Sequence, residues 1–395
     1  MKSKLVLLPL MLGGFGIGMT EFVMMGILPD IARAMRISIP DAGHFISAYA
    51  LGVVVGAPLL VALTGKLPPR KILALLMALF AVGNGLSVLA SSYHLMLLTR
   101  FVSGLPHGAF FGVGAVVAGR LAQPGREAQA ISIMFAGLTF ANIIGVPIGT
   151  YLGHHFSWRI PFVLIVVVAL LTVVSVLRLM PNLAAKETNL RQEFHAFTKL
   201  EPWLIIGITV LGNGGFFAWF SYIVPLFTEV SGFGPNTVAF LMVLAGVGMA
   251  LGNLLGGWLT DRISPLRATT FLLAAMTASL LLVPVAAPYQ LPTVVMTMLT
   301  GALAFSTAAP IQMLMIRSAK GSEMLASSLS QSGFNTGNAL GAYLGGLPIA
   351  AGLGYTSPDW VGAALVTGGI LFCVALVFRR RSQAAAPEPE VAVVR

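Results

Sequence analysis

Apolar residues run along this chain in long unbroken blocks, and each block ends at a few charged, Pro or Gly residues. A helix rises 1.5 Å per residue, so about 20 apolar residues cross a hydrocarbon core of roughly 30 Å. Twelve blocks reach that length, near 5–29, 42–64, 72–91, 95–118, 130–152, 160–179, 203–228, 235–258, 268–287, 291–316, 323–350 and 359–378. The pattern predicts an all-α membrane protein with twelve transmembrane helices. Its one sizeable polar interruption is 180–202, which gives a six-helix bundle at 1–179, a cytoplasmic linker at 180–202 and a second six-helix bundle at 203–378. The tail at 379–395 opens on RRRSQ and turns Ala/Pro/Glu-rich, a composition expected to stay disordered. The first block follows MKSK as a signal peptide would. It continues past Gly18 to Leu28 with no small-residue cleavage site, so it is read as a retained helix.

A shift of 196 residues superimposes the two halves. Pro29 falls on Pro225, Gly52 on Gly248, Gly56 on Gly252 and Lys71 on Arg267. Gly137, Asn142 and Gly145 fall on Gly333, Asn338 and Gly341. One shift serving three helices predicts two pseudo-symmetric bundles, an arrangement that places a solute site near the midplane between them.

Composition agrees. The chain is 57% hydrophobic and 9% charged, against roughly 25% charged in a soluble domain. A net charge of +10 raises the question of nucleic acid. The placement of the charge answers it. With the N-terminus inside, cytoplasmic segments hold 19 of the 23 Lys and Arg residues, the outer segments hold Arg33, Arg36 and Arg159, and Arg100 falls within a helix. The positive-inside rule and anionic lipid account for that bias, with both termini in the cytoplasm and no nucleic-acid partner. One cysteine, Cys373, excludes an intrachain disulfide and a cysteine metal site.

Ionisable groups inside a membrane are costly and mark function. Of 13 acidic residues the sequence places one deep in a helix, Glu21. It lies about 12 Å below the outer end of the first helix. Gly14, Gly18 and Met25 share its face and allow close approach of a helix or a solute. Desolvation favours the neutral form of a carboxyl, which suits a proton carrier. A locked structural acid is the alternative. Arg100, about 8 Å deep in the fourth helix, is the candidate partner. Ser103, Gly104 and His107 continue its face. Arg100 alternatively snorkels to the interface, and His107 alternatively packs with a hydrogen bond. No second His or acid is at hand for a metal, and no cofactor is expected.

In the second half, Gln331, Asn335 and Asn338 form a polar stripe that should avoid lipid and face a cavity. With Asn142, Asn213, Gln312, Phe216, Phe217, Phe220 and Tyr222 they compose a mixed amide and aromatic pocket, suited to a sugar or a flat neutral drug. Core packing and interfacial anchoring are the alternative for the aromatics. Gly145, Pro147 and Gly149 predict a bent, closely packed fifth helix, a candidate seal between the halves. Arg70 and Lys71 in one loop and Asp261 and Arg262 in its counterpart read either as a gate, paired in one state only, or as charges that set topology.

The blocks GMTEFVMMGILPDIA (18–32), ISAYALGVVVGAP (46–58), RFVSGLPHGAFFGVGAVV (100–117), NGGFFAWFSYIVP (213–225) and GFNTGNALGAYLGG (333–346), with the fifth helix through Trp158 and Arg159, resemble the major facilitator superfamily. Within it they are similar to the drug/proton and sugar-efflux branch, most closely to arabinose efflux permeases. The resemblance implies that Arg100 and Gly104 belong to a fourth-helix motif tied to proton transfer. It implies further that 137–149 is an antiporter motif and that Glu21 is a proton-coupling acid. The chain departs from the family in one loop, where Pro69 stands in place of the usual aspartate of Gly-x-x-x-Asp-Arg. Asp261 and Arg262 keep that pair in the second half.

Together these readings predict a monomeric exporter in a bacterial inner membrane. It moves a small organic solute outward in exchange for protons, through Glu21, Arg100 and His107. A proton-independent facilitator or symporter is the alternative within the class. A membrane-embedded enzyme or sensor is the alternative outside it, and an enzyme needs a converging acid/base set or metal that the sequence lacks.

Overall fold

A computed structural model describes residues 6–64, 67–123, 127–184, 198–319 and 323–385; the side chains at 62, 127–129, 261, 323–325, 327–328 and 383–385 are outside that set. Among the described residues the chain forms twelve long helices and no strand. In order they are α1 (Leu8–Gly26, continued as Leu28–Met35), α2 (Ile39–Thr64), α3 (Pro69–Leu89), α4 (Tyr93–Leu121), α5 (Glu127–Phe140, continued to His155) and α6 (Ile160–Leu179). The second set is α7 (Leu200–Phe220), α8 (Val238–Arg262), α9 (Pro265–Ala286), α10 (Gln290–Ser306, continued as Ala308–Ser318), α11 (Glu323–Ala350) and α12 (Ser357–Ala385). Eleven are long and apolar enough to cross a membrane. The twelfth, α11, is 28 residues long, and its Gln and Asn stripe lowers its hydropathy.

Two boundaries differ from expectation. Helix α12 does not stop at 378. It runs through Arg379, Arg380 and Arg381 to Ala385, and Arg380 Nη2 donates to Glu201 Oε1 at the start of α7, 2.5 Å away. That ion pair holds the first residues of the expected tail in helical form. Helix α7 begins at Leu200, inside the expected linker. The rest of the tail, linker residues 185–197 and Lys2, Lys4, Lys66, Arg126, Lys186, Arg191, Lys320 and Arg395, which the sequence reading counted toward orientation, lie outside the described residues.

The packing repeats as the sequence does. In the first half α1 packs on α5 and α6, α2 on α4, and α3 on α4 and α6; in the second, α7 packs on α11 and α12, α8 on α10, and α9 on α10 and α12. The seams between halves repeat too: α2 lies against α11 and α8 against α5. Two glycine pairs show the cause. A Cβ on Gly52 or Gly56 would strike the carbonyls of Phe101 and Leu105 in α4, and one on Gly248 or Gly252 would strike those of Met298 and Ala302 in α10. Without side chains there, the backbones approach closely enough for van der Waals contact to hold helices together where lipid is as apolar as they are.

Large apolar side chains face outward. Leu254, Leu291 and Phe378 expose 72%, 75% and 65% of their surface, which water would not tolerate over a whole molecule but lipid does. At the helix ends, Arg159 stacks on Trp158, 4.1 Å from the ring centroid, and donates to the carbonyls of Val88 and Ala90 at 2.9 and 3.1 Å. It thereby satisfies the free carbonyls that end α3. The end of the molecule that carries 27–38 is called distal here. The end that carries Leu8 and Ala385 is called proximal.

Candidate functional site

Three consecutive residues of α1 reach three different partners. Successive positions on a helix point about 100° apart, so Thr20, Glu21 and Phe22 together face most of the interior. Thr20 faces the first half. Its Oγ1 donates to Asn84 Oδ1 in α3 at 2.6 Å and accepts from Arg100 Nη1 at 3.1 Å, and its carbonyl accepts from Arg100 Nη2 at 3.1 Å. Glu21 faces the second half. Its Oε1 accepts from Asn338 Nδ2 in α11 at 2.8 Å. Phe22 points between α7 and α10, with ring centroids of Phe217, Phe220 and Phe305 at 6.0, 6.1 and 6.0 Å.

The polar chain continues on both sides. Asn338 Oδ1 accepts from Asn213 Nδ2 in α7, which also donates to the Phe334 carbonyl at 2.8 Å. Arg100 is fully buried, with its guanidinium carbon 4.4 Å from the Tyr49 ring centroid and 5.8 Å from that of Phe162. Tyr49 Oη lies 3.0 Å from His107 Nδ1. The two candidate coupling charges are therefore neighbours without a direct bond: Arg100 is bonded to Thr20 and Glu21 to Asn338. Arg100 does not snorkel, and His107 is a buried residue with a hydrogen bond.

The expected pocket residues divide into two groups. Asn213 and Asn338 meet at the centre, while Asn335, buried on the same helix as Asn338, donates from Nδ2 to the Gln331 carbonyl at 3.0 Å and has its Oδ1 buried without a hydrogen-bond partner. Phe216, Phe217, Phe220 and Tyr222 are buried, with Phe216 and Phe220 stacked at 5.0 Å and Tyr222 Oη donating to the Ala342 carbonyl at 2.7 Å. Phe217 and Phe220 pack against Phe22, the residue after Glu21, and Phe216 packs on Phe305, so the rings form a closed aromatic wall. Gln312 and Gln331 are half-buried. Within the polar stripe the exposure is graded. A cysteine at 331, with Cys373 replaced, is expected to react with a hydrophilic thiol reagent faster than one at 335 or 338. Equal rates at all three would contradict the sealing of Asn335 and Asn338.

Asn142 lies at the seam rather than in the centre. Its Nδ2 donates to the Leu138 carbonyl at 3.1 Å, and its own carbonyl lies against Gly246 of α8. It is the second residue of a π-helical turn, Ala141–Gly145, which ends two residues before Pro147. Proline has no N–H to return to the preceding turn, and a π turn accommodates that loss. Gly145 and Gly149 pack on Phe15, Met19 and Val23 of α1, and Gly14 and Gly18 also pack on α5. The small residues of α1 and α5 thus serve one contact within the first half. Arg70 donates to the Leu177 carbonyl at the end of α6, Lys71 is exposed, and Arg262 lies over Trp258 of its own helix. Among the described residues these loop charges stay within their own halves. The side chain of Asp261 lies outside the described set.

Contacts between the halves run from the centre to the distal end. Ser47 Oγ donates to the Ala339 carbonyl at 2.9 Å, the His44 and Tyr343 rings lie 5.7 Å apart, and His155 Nε2 lies 3.0 Å from Asn236 Oδ1.

The sequence reading missed Thr20, Tyr49, Asn84 and Phe22. The available signals were a threonine beside the acid and an asparagine inside the apolar α3 block. Asp359, which the sequence puts at a helix end, is also buried, at 1% exposure in the first turn of α12.

The sequence profile of the Major Facilitator Superfamily matches residues 10–330 and, again, 235–393. The chain is 41% identical to "Putative transporter AraJ" of Escherichia coli K12 over 98% of this chain and 99% of that one. It is 40% identical to "Inner membrane transport protein YdhP" of the same strain over 97% and 98%. It is 30% identical to "Chloramphenicol resistance protein" of Streptomyces lividans over 94% and 95%.

Proposed function

The chain belongs to the Major Facilitator Superfamily, and from that premise we propose that it exports a small neutral solute, a sugar or a drug-like molecule, from a bacterial cell in exchange for protons. It is a multi-pass membrane transporter of small solutes and not an enzyme. The inner membrane, cytoplasmic termini and a monomeric state complete the proposal, the first supported by the name of one relative and the second by the Lys and Arg bias. The distal end is then the outer end, and the conformation is closed to the outside.

One observation carries the coupling. The central carboxyl is bonded across the seam, Glu21 to Asn338 at 2.8 Å, while the buried cation Arg100 sits on the adjacent residue. A hydrogen bond to a carboxylate is about twice as strong as a neutral one, so ionised Glu21 helps hold the halves together. A solute that enters from the proximal side and takes Asn338 for itself breaks that bond and leaves the carboxylate to Arg100. The halves then part distally. A proton taken from outside neutralises Glu21, the distal end closes again, and release of that proton to the proximal side restores the carboxylate and its bond from Asn338. Solute and proton thus use one network by turns. His107 tunes it through Tyr49, and the π turn at Asn142 with Pro147 flexes at the α5–α8 seam. The loop pairs Arg70, Lys71 and Asp261, Arg262 set the opposite closure.

Amide groups and aromatic faces suit a neutral solute. Phe216, Phe217, Phe220 and Tyr222 join its site only once that closed aromatic wall opens. The direct test is efflux of a panel of sugars and chloramphenicol from vesicles, with and without an inward proton gradient. At least one probe is expected to be extruded only with the gradient, and extrusion indifferent to it would sink the antiport reading. Cysteines at His155 and Asn236 are expected to cross-link and stop transport until reduced. A cross-linked protein that still transports would mean that the halves do not part there.

A further inference from the structure

Tyr49 touches both Arg100 and His107, and neither the sequence reading nor the family match assigns it a role. Its ring lies under the guanidinium of Arg100, 4.4 Å from the guanidinium carbon, and its hydroxyl lies 3.0 Å from His107 Nδ1. The side chain is 2% exposed. Its backbone is fixed as firmly as its ring, because α4 approaches so closely that a Cβ on Gly104 would strike the Tyr49 carbonyl and lie 3.1 Å from the Val53 nitrogen. We infer that Tyr49 is the positioning residue of the coupling site, with two separable tasks: its ring face seats Arg100, and its hydroxyl fixes the ring of His107. The inference rests on the reading of Glu21 as the coupling acid.

The physical case follows from what Arg100 lacks. A guanidinium has five N–H donors, and Arg100 spends two nitrogens on Thr20 while its Nε is buried without a hydrogen-bond partner. Among the described residues no carboxylate forms an ion pair with it. The aromatic face supplies the missing stabilisation for a desolvated cation and leaves the guanidinium edge free to turn toward Glu21. The 3.0 Å contact between the Tyr49 hydroxyl and His107 Nδ1 ties the tautomer to the pair: with the hydroxyl as donor, the imidazole proton sits on Nε2.

Labelling of Glu21 by dicyclohexylcarbodiimide, which adds to a protonated carboxyl, separates the tasks in the purified full-length protein without any solute. Glu21→Gln removes the label that defines the signal. Tyr49→Leu, which removes face and hydroxyl, is expected to raise labelling at neutral pH about tenfold, because the cation beside the carboxyl is no longer held there. Tyr49→Phe keeps the face and is expected to label within about twofold of the parent. The 15N signal of His107, assigned by its loss in His107→Asn, is expected to move in Tyr49→Phe. Parent-like labelling in a folded Tyr49→Leu protein, or Leu-like labelling in Tyr49→Phe, would overturn the seating of Arg100. An unmoved His107 signal would overturn the second task. Uphill transport that survives Glu21→Gln would instead defeat the coupling reading itself, and the labelling would still report where Arg100 sits.

Discussion

Glu21→Gln reduces uphill, gradient-driven export to background and leaves solute counterflow running. This is the largest functional effect expected of any single substitution here. The glutamine Oε1 still accepts from Asn338 Nδ2, so the 2.8 Å bond across the seam has a neutral replacement. The cost to stability is expected to be about 1 kcal/mol, the difference between a bond to a carboxylate and its neutral replacement. What disappears is the site that binds and releases a proton. Counterflow needs the halves to rock around the solute and no proton, so it isolates the coupling step. Parallel loss of counterflow and uphill export, with the protein still folded, would make Glu21 a structural or solute-binding residue instead.

Gly104→Val lowers thermal stability more than any substitution at the polar site. The new side chain has no room: its Cβ alone would meet the Tyr49 carbonyl, and the obstacle is backbone rather than a side chain that can rotate away. Overpacking a core costs about 1–3 kcal/mol, and the upper end applies where the neighbour is main chain. Helices α2 and α4 must separate, which also lifts Tyr49 from Arg100. Heating the detergent-solubilised protein before size exclusion measures the loss. A melting point equal to that of the parent would mean that the α2–α4 contact is looser than described.

The fold was legible in the sequence because lipid imposes a simple rule. Every backbone polar group must be satisfied within a helix, so block length alone predicts twelve spans, and the 196-residue shift predicts that the two halves repeat. Gly52 and Gly248 occupy matching places against α4 and α10. The interruptions at Ile27, Thr307 and the π turn of α5 were less legible, since tertiary contacts decide where a helix pauses. In the centre, Glu21 and Arg100 could be read because charge in a membrane is rare. Their partners could not, because hydrogen bonds between Thr20, Asn84 and Arg100, or between Glu21 and Asn338, join residues 64 to 317 positions apart. The aromatics of α7 show the same limit. Their composition suggested a pocket wall, and only the packing against Phe22 reveals that the wall is closed in this conformation.

The central claim is that outward solute movement is driven by protons moving inward through Glu21. It is tested by reconstituting the purified protein in vesicles, loading a probe solute at equal concentration on both sides, and imposing a pH gradient with no other energy source. The account predicts net solute movement against its own rising gradient, toward the acidic side, ended at once by a protonophore. Solute that stays at equal concentration on both sides, whatever the pH difference, would contradict it.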